Sequence, residues 1–326
     1  MSTATVDIAQ DEAAGAVSAG GEIAARSPLQ LFLRRLRADK VAMVAAIVIA
    51  IMIIVAIFAP LIVKLVGAHP PNQRNPSALD EFGTASGPNF AKHYYFGVDD
   101  LGRDVFSRVL YGARVSLLVA FVATALSMLI GVSAGIIAGY FRGWIDTGIS
   151  RVIDVILAFP YLLLGLGIGA ACSFGDGCLG GLIQPGIGTV IFVIVFSTWV
   201  YIARIIRGQV LSIREKEFIE ASRSLGAGHM RIMFRDILPN LVASIVVYTT
   251  IFIPVNILFE AALSFLGVGV QPPTPSWGKM IQDASSQFDT AWWFMVFPGV
   301  ALLITVLAFN LVGDGFSDAL NPRSRR

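Results

Sequence analysis

The residues able to do chemistry in this sequence are few and far apart. Gly175, Gly177 and Gly180 spell G-x-G-x-x-G. That loop binds a dinucleotide only between a strand and a helix, and no strand is expected before it. No G-x-x-x-x-G-K-[ST] phosphate loop occurs, so the chain has no ATP cradle of that kind. The three histidines, His69, His93 and His229, lack the spacing of a ligand set, and neither a metal nor a cofactor is expected. No Ser/His/Asp arrangement falls in one compartment. Two features remain. Glu260 stands between apolar runs, where an ionised group is costly and is often functional. Cys172 and Cys178, the two cysteines, flank a stretch too polar and too Gly-rich to continue a helix. Five residues between them let the Cα atoms reach the roughly 5.5 Å of a disulfide, which favours a bridge over two buried thiols.

The elements that carry these residues are membrane spans. Only 14% of the 326 residues are charged and 56% are apolar. A soluble domain has roughly 25% charged residues. Uncharged runs recur at Val41–Val63, Val115–Tyr140, Val155–Ala171, Ile187–Ala203, Leu241–Phe259 and Ala291–Val312. Each approaches the ~20 residues of a bilayer-spanning helix. The third is short and is expected to begin a turn earlier. The fold class is therefore all-α integral membrane with six transmembrane helices, since lipid leaves only helices and closed barrels satisfied. The expected order is a tail over 1–40, a first span over 41–63, an extracytoplasmic loop over 64–112, a five-helix core over 113–320 and a tail over 321–326. Met1–Ala25 has little to bury and reads as disordered. No cleavable signal segment precedes Val41, so the first span is expected to stay as an anchor.

Charge orients the bundle. With the N-terminus in the cytoplasm, seventeen of the 24 Lys and Arg fall in inner segments, seven of those between Arg204 and Arg235. The positive-inside rule then places both termini in the cytoplasm. Gly131, Gly135 and Gly139 recur every four residues, which clears one helix face for a closely approaching neighbour. Pro160, Pro254 and Pro298 each remove a backbone donor from a span, as bends used in opening and closing or as static kinks.

The inner segment Glu217–Asn240 reads EFIEASRSLGAGHMRIMFRDILPN. A helix is expected over Arg214–Leu225, stopped by Gly226 and Gly228, then a second short helix, with Pro239 where the chain turns into the fifth span. Phe218 and Leu225 give this hairpin exposed apolar residues, the mark of a docking site.

The hairpin resembles the EAA loop of ABC importer permeases, a pattern of E-A-A, three residues, G, nine residues, then I-x-L-P. Glu220, Ala221, Gly226, Leu238 and Pro239 match in register; Ser222 replaces the second Ala and Asp236 the Ile. Three stretches resemble the dipeptide/oligopeptide permease branch, second-subunit type: FGVDDLGRDVFSRVLYGARVSL, LSFLGVGVQPPTPSWGKM and TVLAFNLVGDGFSDALNPR. The resemblance runs from about Phe96 to Arg323. It implies a subunit of an ATP-driven importer of short peptides in a bacterial cytoplasmic membrane, without an ATP site of its own. Nickel, glutathione or another small solute is an alternative substrate; a self-sufficient secondary transporter fits less well, for want of intramembrane charge. The implied partners are a second homologous permease subunit, two ATPase subunits and an extracytoplasmic peptide-binding protein, besides the lipid bilayer; nucleic acid is not among them. The coupling residues so implied are Phe218, Glu220, Ala221, Ser222, Leu225, Gly226, Ala227, Leu238 and Pro239.

Three readings of Glu260 stay open: the outer interface in water, a contact with the partner permease, or a contact with substrate. The run Asp99-Asp100-Leu101-Gly102-Arg103-Asp104 is expected to set the approach of the second span through salt bridges and a cap, with a direct role in peptide binding as the lesser alternative. Gln271–Trp277, with three prolines, reads as a stiff outer loop. Trp277, Trp292 and Trp293 suit an aromatic belt.

Overall fold

The computed structural model describes residues 28–173, 177, 178 and 180–320. The disordered-tail reading of Met1–Ala25, the short tail at 321–326 and Gly175 lie outside the described residues. Among the described residues ten α-helices form in chain order: α1 Pro28–Ala38, α2 Lys40–Val66, α3 Val105–Phe141, α4 Gly143–Leu157, α5 Tyr161–Ser173, α6 Ile187–Arg214, α7 Glu217–Ser224, α8 His229–Phe265, α9 Trp277–Ala284 and α10 Trp292–Leu320. Five of them (α2, α3, α6, α8 and α10) are long and apolar enough to cross a membrane, and the bent pair α4–α5 makes a sixth unit. The chain is an all-α integral membrane protein.

Local chemistry sets most boundaries. Asp39 caps α2 by accepting from the N–H groups of Val41 and Ala42, and Gly67 closes it in the left-handed conformation at φ 74°. Asp104 caps α3 through Phe106 N–H at 3.0 Å. The second span consequently starts at Val105, ten residues before the uncharged run suggested, and the loop before it ends earlier than 112. Arg108 lies inside that helix with its side chain 2% exposed, so its charge is buried in protein rather than set in a loop.

The third span differs more. Instead of one helix, α4 and α5 meet at 87° around Ala158–Pro160. Pro160 cannot donate the helical hydrogen bond, and its ring disfavours a helical residue before it. Asp146 and Asp154 on α4 pair with Arg207 and Arg204 of α6 and so hold α4 along its neighbour. The turn foreseen at Pro239 is also absent. His229 to Phe265 is one continuous helix containing a π segment at Ile232–Ile237, where Leu238 N–H donates to Met233 O. The wider turn accommodates the missing donor of Pro239 without breaking the helix.

Helix α3 is the centre of the bundle, flanked by α2, α6 and α8, while α10 closes the other side on α2 and α8. Met128, Ile136, Ile202, Ile206 and Val210 form a buried cluster on the hairpin side. Val119, Ala123, Val190, Ile194 and Phe259 form another toward the opposite end. Large apolar residues such as Ile47, Ile51, Ile54, Leu129 and Leu303 remain outward, as a bilayer-facing surface requires. Helix α1 was not anticipated. Phe32 packs edge-on against Phe316 at 5.4 Å, and Arg35 donates to Ala319 O at 3.4 Å, fixing α1 to the end of α10.

Candidate functional site

The hairpin is built by its turn. Glu217 and Glu220 sit in the first turn of α7 and Arg223 in the last, each at the favourable end of the helix dipole. After Ser224 the chain closes in a Schellman motif: Gly226 N–H donates to Arg223 O at 2.9 Å and Ala227 N–H to Ser222 O at 3.0 Å. Gly226 takes φ 78°. Gly228 is extended, at φ −70°, and starts α8 rather than ending α7.

One face of this hairpin is anchored and the other is bare. Ile219 is fully buried and packs with Ile213, Ile232, Met233 and Ile237. Tyr140, at the end of α3, is the post that holds the turn. Its hydroxyl meets His229 Nδ1 at 2.8 Å, and the guanidinium groups of Arg214 and Arg223 lie 5.9 and 5.8 Å from its ring centre. On the outer side Phe218, Met230 and Phe234 are exposed and Leu225 is 88% exposed. Glu220, Ala221, Gly226 and Pro239 are also exposed, whereas Ser222, Ala227 and Leu238 are half-buried. Beside the turn, Ser222, Leu225, Gly226 and Ala227 face Arg231, Arg235 and Asp236 across a pocket of about 260 Å³. The Oδ2 atom of Asp236 is buried there without a hydrogen-bond partner.

The glycine row lies against α6. A Cβ placed on Gly131, Gly135 or Gly139 would come within 2.7 Å of Ile202 Cβ, Ala203 O and Val210 Cβ, respectively. The two backbones therefore approach too closely for any side chain.

Glu260 is inside α8 and wholly buried, not at a wet interface. Ser116 Oγ donates to one carboxyl oxygen at 2.8 Å and Ser264 Oγ to the other at 2.7 Å. Ser264 Oγ also accepts from Val270 N–H at 3.1 Å, and Ser116 Oγ from Trp277 N–H at 3.4 Å. The carboxyl thus joins α3, α8 and the returning loop within one chain. Trp277 is correspondingly not an interfacial belt residue. It is fully buried at the start of α9, with its indole N–H donated to Val109 O at 3.1 Å. Trp293 is also inside, donating to Val98 O at 3.1 Å, while Trp292 is exposed.

At the end of the bundle away from the hairpin Asp99 receives Arg103 at 2.6 Å and Arg108 at 3.5 Å. Asp104 accepts from Phe106 N–H, Ser107 Oγ and His69 N–H. Burial nevertheless raises the Asp104 carboxyl above its ordinary value, outweighing those three donors. The His69 ring stacks on Tyr94 at 4.3 Å, and His93 Nδ1 meets Tyr95 Oη at 3.2 Å. Cys172 and Cys178 are joined by a disulfide with Cα atoms 4.7 Å apart.

Tyr140 and Ile219 are the hairpin residues the sequence reading did not single out. Tyr140 is 89 positions from His229, and only Ile219's apolar type beside Phe218 hinted at an inward face.

Comparison with known proteins places this arrangement. Residues 131–326 match the binding-protein-dependent transport system inner membrane component, and residues 27–91 match the N-terminal TM domain of oligopeptide transport permease C. The dipeptide transport system permease protein DppC of Alkalihalophilus pseudofirmus is 40% identical over 92% of this chain and 91% of its own length. The glutathione transport system permease protein GsiD of Escherichia coli O157:H7 is 42% identical over 91% of each. Among solved structures, the inward-facing MetNI methionine ABC transporter shares the fold at a TM-score of 0.54 and 21% identity. It covers 66% of this chain and 96% of that one. A second crystal form of the same transporter gives 0.52 and 20%, over 65% and 96%. A family model over 131–326 and relatives of 40% identity along nearly the whole length agree, and this chain belongs to the binding-protein-dependent transport system inner membrane components.

Proposed function

We propose that the chain is a membrane-spanning permease subunit of an ATP-driven importer of short peptides. The observation that carries the reading is the hairpin. An apolar ridge with Leu225 88% exposed stands on a buried Ile219 and a Tyr140 post, and has no use in a self-contained bundle. In this reading Phe218, Glu220, Ala221, Ser222, Leu225, Gly226 and Ala227 meet an ATPase subunit, while Leu238 and Pro239 carry the contact into α8. The hairpin and both termini face the cytoplasm, in line with the excess of Lys and Arg on that side. A second, related permease completes the path, two ATPases supply the energy, and an external binding protein delivers peptide.

Glu260 then has a positioning role. With both carboxyl oxygens held by serines of its own chain, it neither reaches substrate nor pairs with a neighbouring subunit. The match to the oligopeptide permease N-terminal domain and the dipeptide relative support peptide as cargo. The glutathione relatives, of similar identity, keep that tripeptide as the second reading.

The test is reconstitution with a partner permease, ATPases and binding protein of the same organism, followed by uptake of labelled dipeptide, oligopeptide, glutathione and nickel. ATP-dependent uptake of dipeptide or oligopeptide is the expected result. Uptake of nickel alone, or uptake independent of ATP, overturns the proposal.

A further inference from the structure

Helices α3 and α4 are joined by one residue. Arg142 ends α3, donating its N–H to Ala138 O at 3.2 Å, and opens α4, where its carbonyl accepts from Asp146 N–H at 3.4 Å. To serve both helices it takes φ 56° and ψ −163°. That is the edge of a backbone region essentially reserved for glycine. His93, the other non-glycine residue with positive φ among the described residues, sits at φ 59° and ψ 28°, in the ordinary left-handed region. The chain supplies a glycine only one position later, at Gly143, so the strained position itself carries a Cβ and a guanidinium.

Strain of this kind persists only where the surroundings over-determine it. Here both flanks are pinned. On the α3 side Tyr140 is buried; its carbonyl accepts from Arg214 Nη1, and its hydroxyl meets His229 Nδ1 at 2.8 Å. On the α4 side Asp146 accepts from Arg207 Nε and, at 2.7 Å, from Arg207 Nη2, and Ile153 is buried with Val200 and Ala203 of α6. Between these pins Arg142 Nη2 donates to Glu215, at the joint of α6 and α7. Those two side chains are 46% and 61% exposed, and so open a pair is too weak to hold the backbone alone. The pins fall into two groups. Arg214, Glu215 and His229 flank the hairpin, whereas Arg207 lies seven residues back along α6.

We infer that Arg142 is a positioning residue for transport, a strained hinge that passes a displacement of the hairpin to α4 and so to the bent pair α4–α5. A shift of α7 carries Glu215, Arg214 and His229 with it while Asp146 stays on Arg207, so the angle at Arg142 has to change. A residue with free φ and ψ would absorb that change. One held by its Cβ in a narrow region resists it, and α4 turns instead. The inference rests on the reading of the hairpin as the ATPase contact, and adds a route into α4 beside the one through α8.

Two variants separate backbone from side chain: Arg142→Ala keeps the Cβ and removes the ion pair, and Arg142→Gly removes both. Each is measured as the full chain in equilibrium unfolding, and in the reconstituted transporter as peptide imported per ATP hydrolysed. Arg142→Gly should be more stable than Arg142→Ala by about threefold or more in the unfolding equilibrium, since the strain relieved exceeds the entropic cost of glycine. It should nevertheless import about twofold less peptide per ATP, or lower still, while Arg142→Ala keeps most of the wild-type ratio. A residue with a merely structural role would move stability and ratio in the same direction. Equal stability of the two variants overturns the strain. A wild-type ratio in Arg142→Gly, with ATP-dependent uptake intact, overturns the hinge and leaves the function standing. Equal loss of ratio in both variants overturns it too, by assigning the effect to the ion pair. Absence of ATP-dependent uptake in wild type overturns the function, and the hinge with it.

Discussion

Gly226 offers the sharpest test of the hairpin, because its geometry separates backbone conformation from contact. It takes φ 78°, and a Cβ built there meets no heavy atom within 4 Å. A side chain therefore creates no clash inside this chain; only the left-handed backbone resists it. For an L-residue that conformation costs about 1–2 kcal/mol, and a β-branched residue sits at the upper end. Since RT is about 0.6 kcal/mol, Gly226→Val should lower the population of the closed Schellman turn about 5- to 30-fold relative to wild type. Asn tolerates the left-handed region, so Gly226→Asn should fall by less than about threefold. The assay is substrate-stimulated ATP hydrolysis and uptake by the reconstituted transporter, with membrane insertion of each variant checked by protease protection. Val should lose coupling while inserting normally, and Asn should retain most of it. Wild-type coupling in the Val variant would refute the argument. Equal loss in Asn and Val would refute it differently, by showing that a partner surface, not the backbone angle, excludes the side chain.

Three further outcomes follow from the interior and from the start of α3. Glu260→Leu removes the acceptor of two buried serine hydroxyls, so thermal unfolding should show a loss of about 1–3 kcal/mol per unsatisfied group. Glu260→Gln, which keeps an acceptor, should lose clearly less, and equal losses would argue against the serine contacts. Gly135→Ala would put a Cβ 2.7 Å from Ala203 O, which should force α3 and α6 apart and destabilise by about 1–3 kcal/mol. Gly208→Ala, with open space around the added atom, is the control that should be neutral or stabilising in the same melt. Burial holds the Asp104 carboxyl above its ordinary value of 3.8, so the folded state binds the proton more tightly than the unfolded chain. This contribution to stability is therefore present at low pH and is lost as pH rises from about 3.8 through the raised value. Asp104→Asn keeps a cap and should remove that pH-dependent component of the melting temperature; an unchanged profile would refute it.

The spans were legible because the bilayer selects on the one property a sequence displays openly, an uncharged run of sufficient length. Their ends were less legible. Arg108 and Arg114 interrupt the apolar run of α3, and nothing local tells that Arg108 is buried against Asp99 and the carbonyl of Pro71, at 3.2 Å. Helix α1 was hidden for a similar reason: Arg34, Arg35 and Arg37 dominate the segment, while its docking depends on Phe32 meeting Phe316, 284 residues away. Pro160 could be read as a bend but not as an 87° break, because the angle is set by pairing of α4 with Arg204 and Arg207 on α6. Trp277 was misplaced because a tryptophan after a proline-rich outer loop suits the interface. Only the fold shows that the loop returns inward and gives the indole the Val109 carbonyl. The hairpin turn was legible at Gly226 but not at Gly228, since a left-handed C-cap is a local requirement that one glycine meets and the other, at φ −70°, does not. The Tyr140 post could not be read, since it is a tertiary one.

The continuity of α8 is the structural fact with the widest consequence. A turn at Pro239 would have left the hairpin as a separate appendage, and force applied there would have been dissipated at the joint. Instead one helix of 37 residues runs from His229, hydrogen-bonded to Tyr140, to Phe265 beyond Glu260. At 1.5 Å per residue that is about 55 Å, enough to cross the whole bilayer. The hairpin end is seated in a core of Ile219, Ile232 and Ile237, so α7 and the start of α8 move together. The far end is tied through Glu260 and Ser264 to Ser116 of α3 and to the loop at Val270. Between them the α-helical ladder is interrupted twice, by the π segment from Ile232 to Ile237 and at Pro254, which has no N–H to donate. Compliance is therefore placed at two points of α8, next to the hairpin and at Pro254. A displacement that neither point absorbs must reach the loop at Val270 as a tilt of α8 against α3. The row of polar contacts there, Asn256 to Thr124 at 2.8 Å and Glu260 to Ser116 at 2.8 Å, is where such a tilt would be resisted or released.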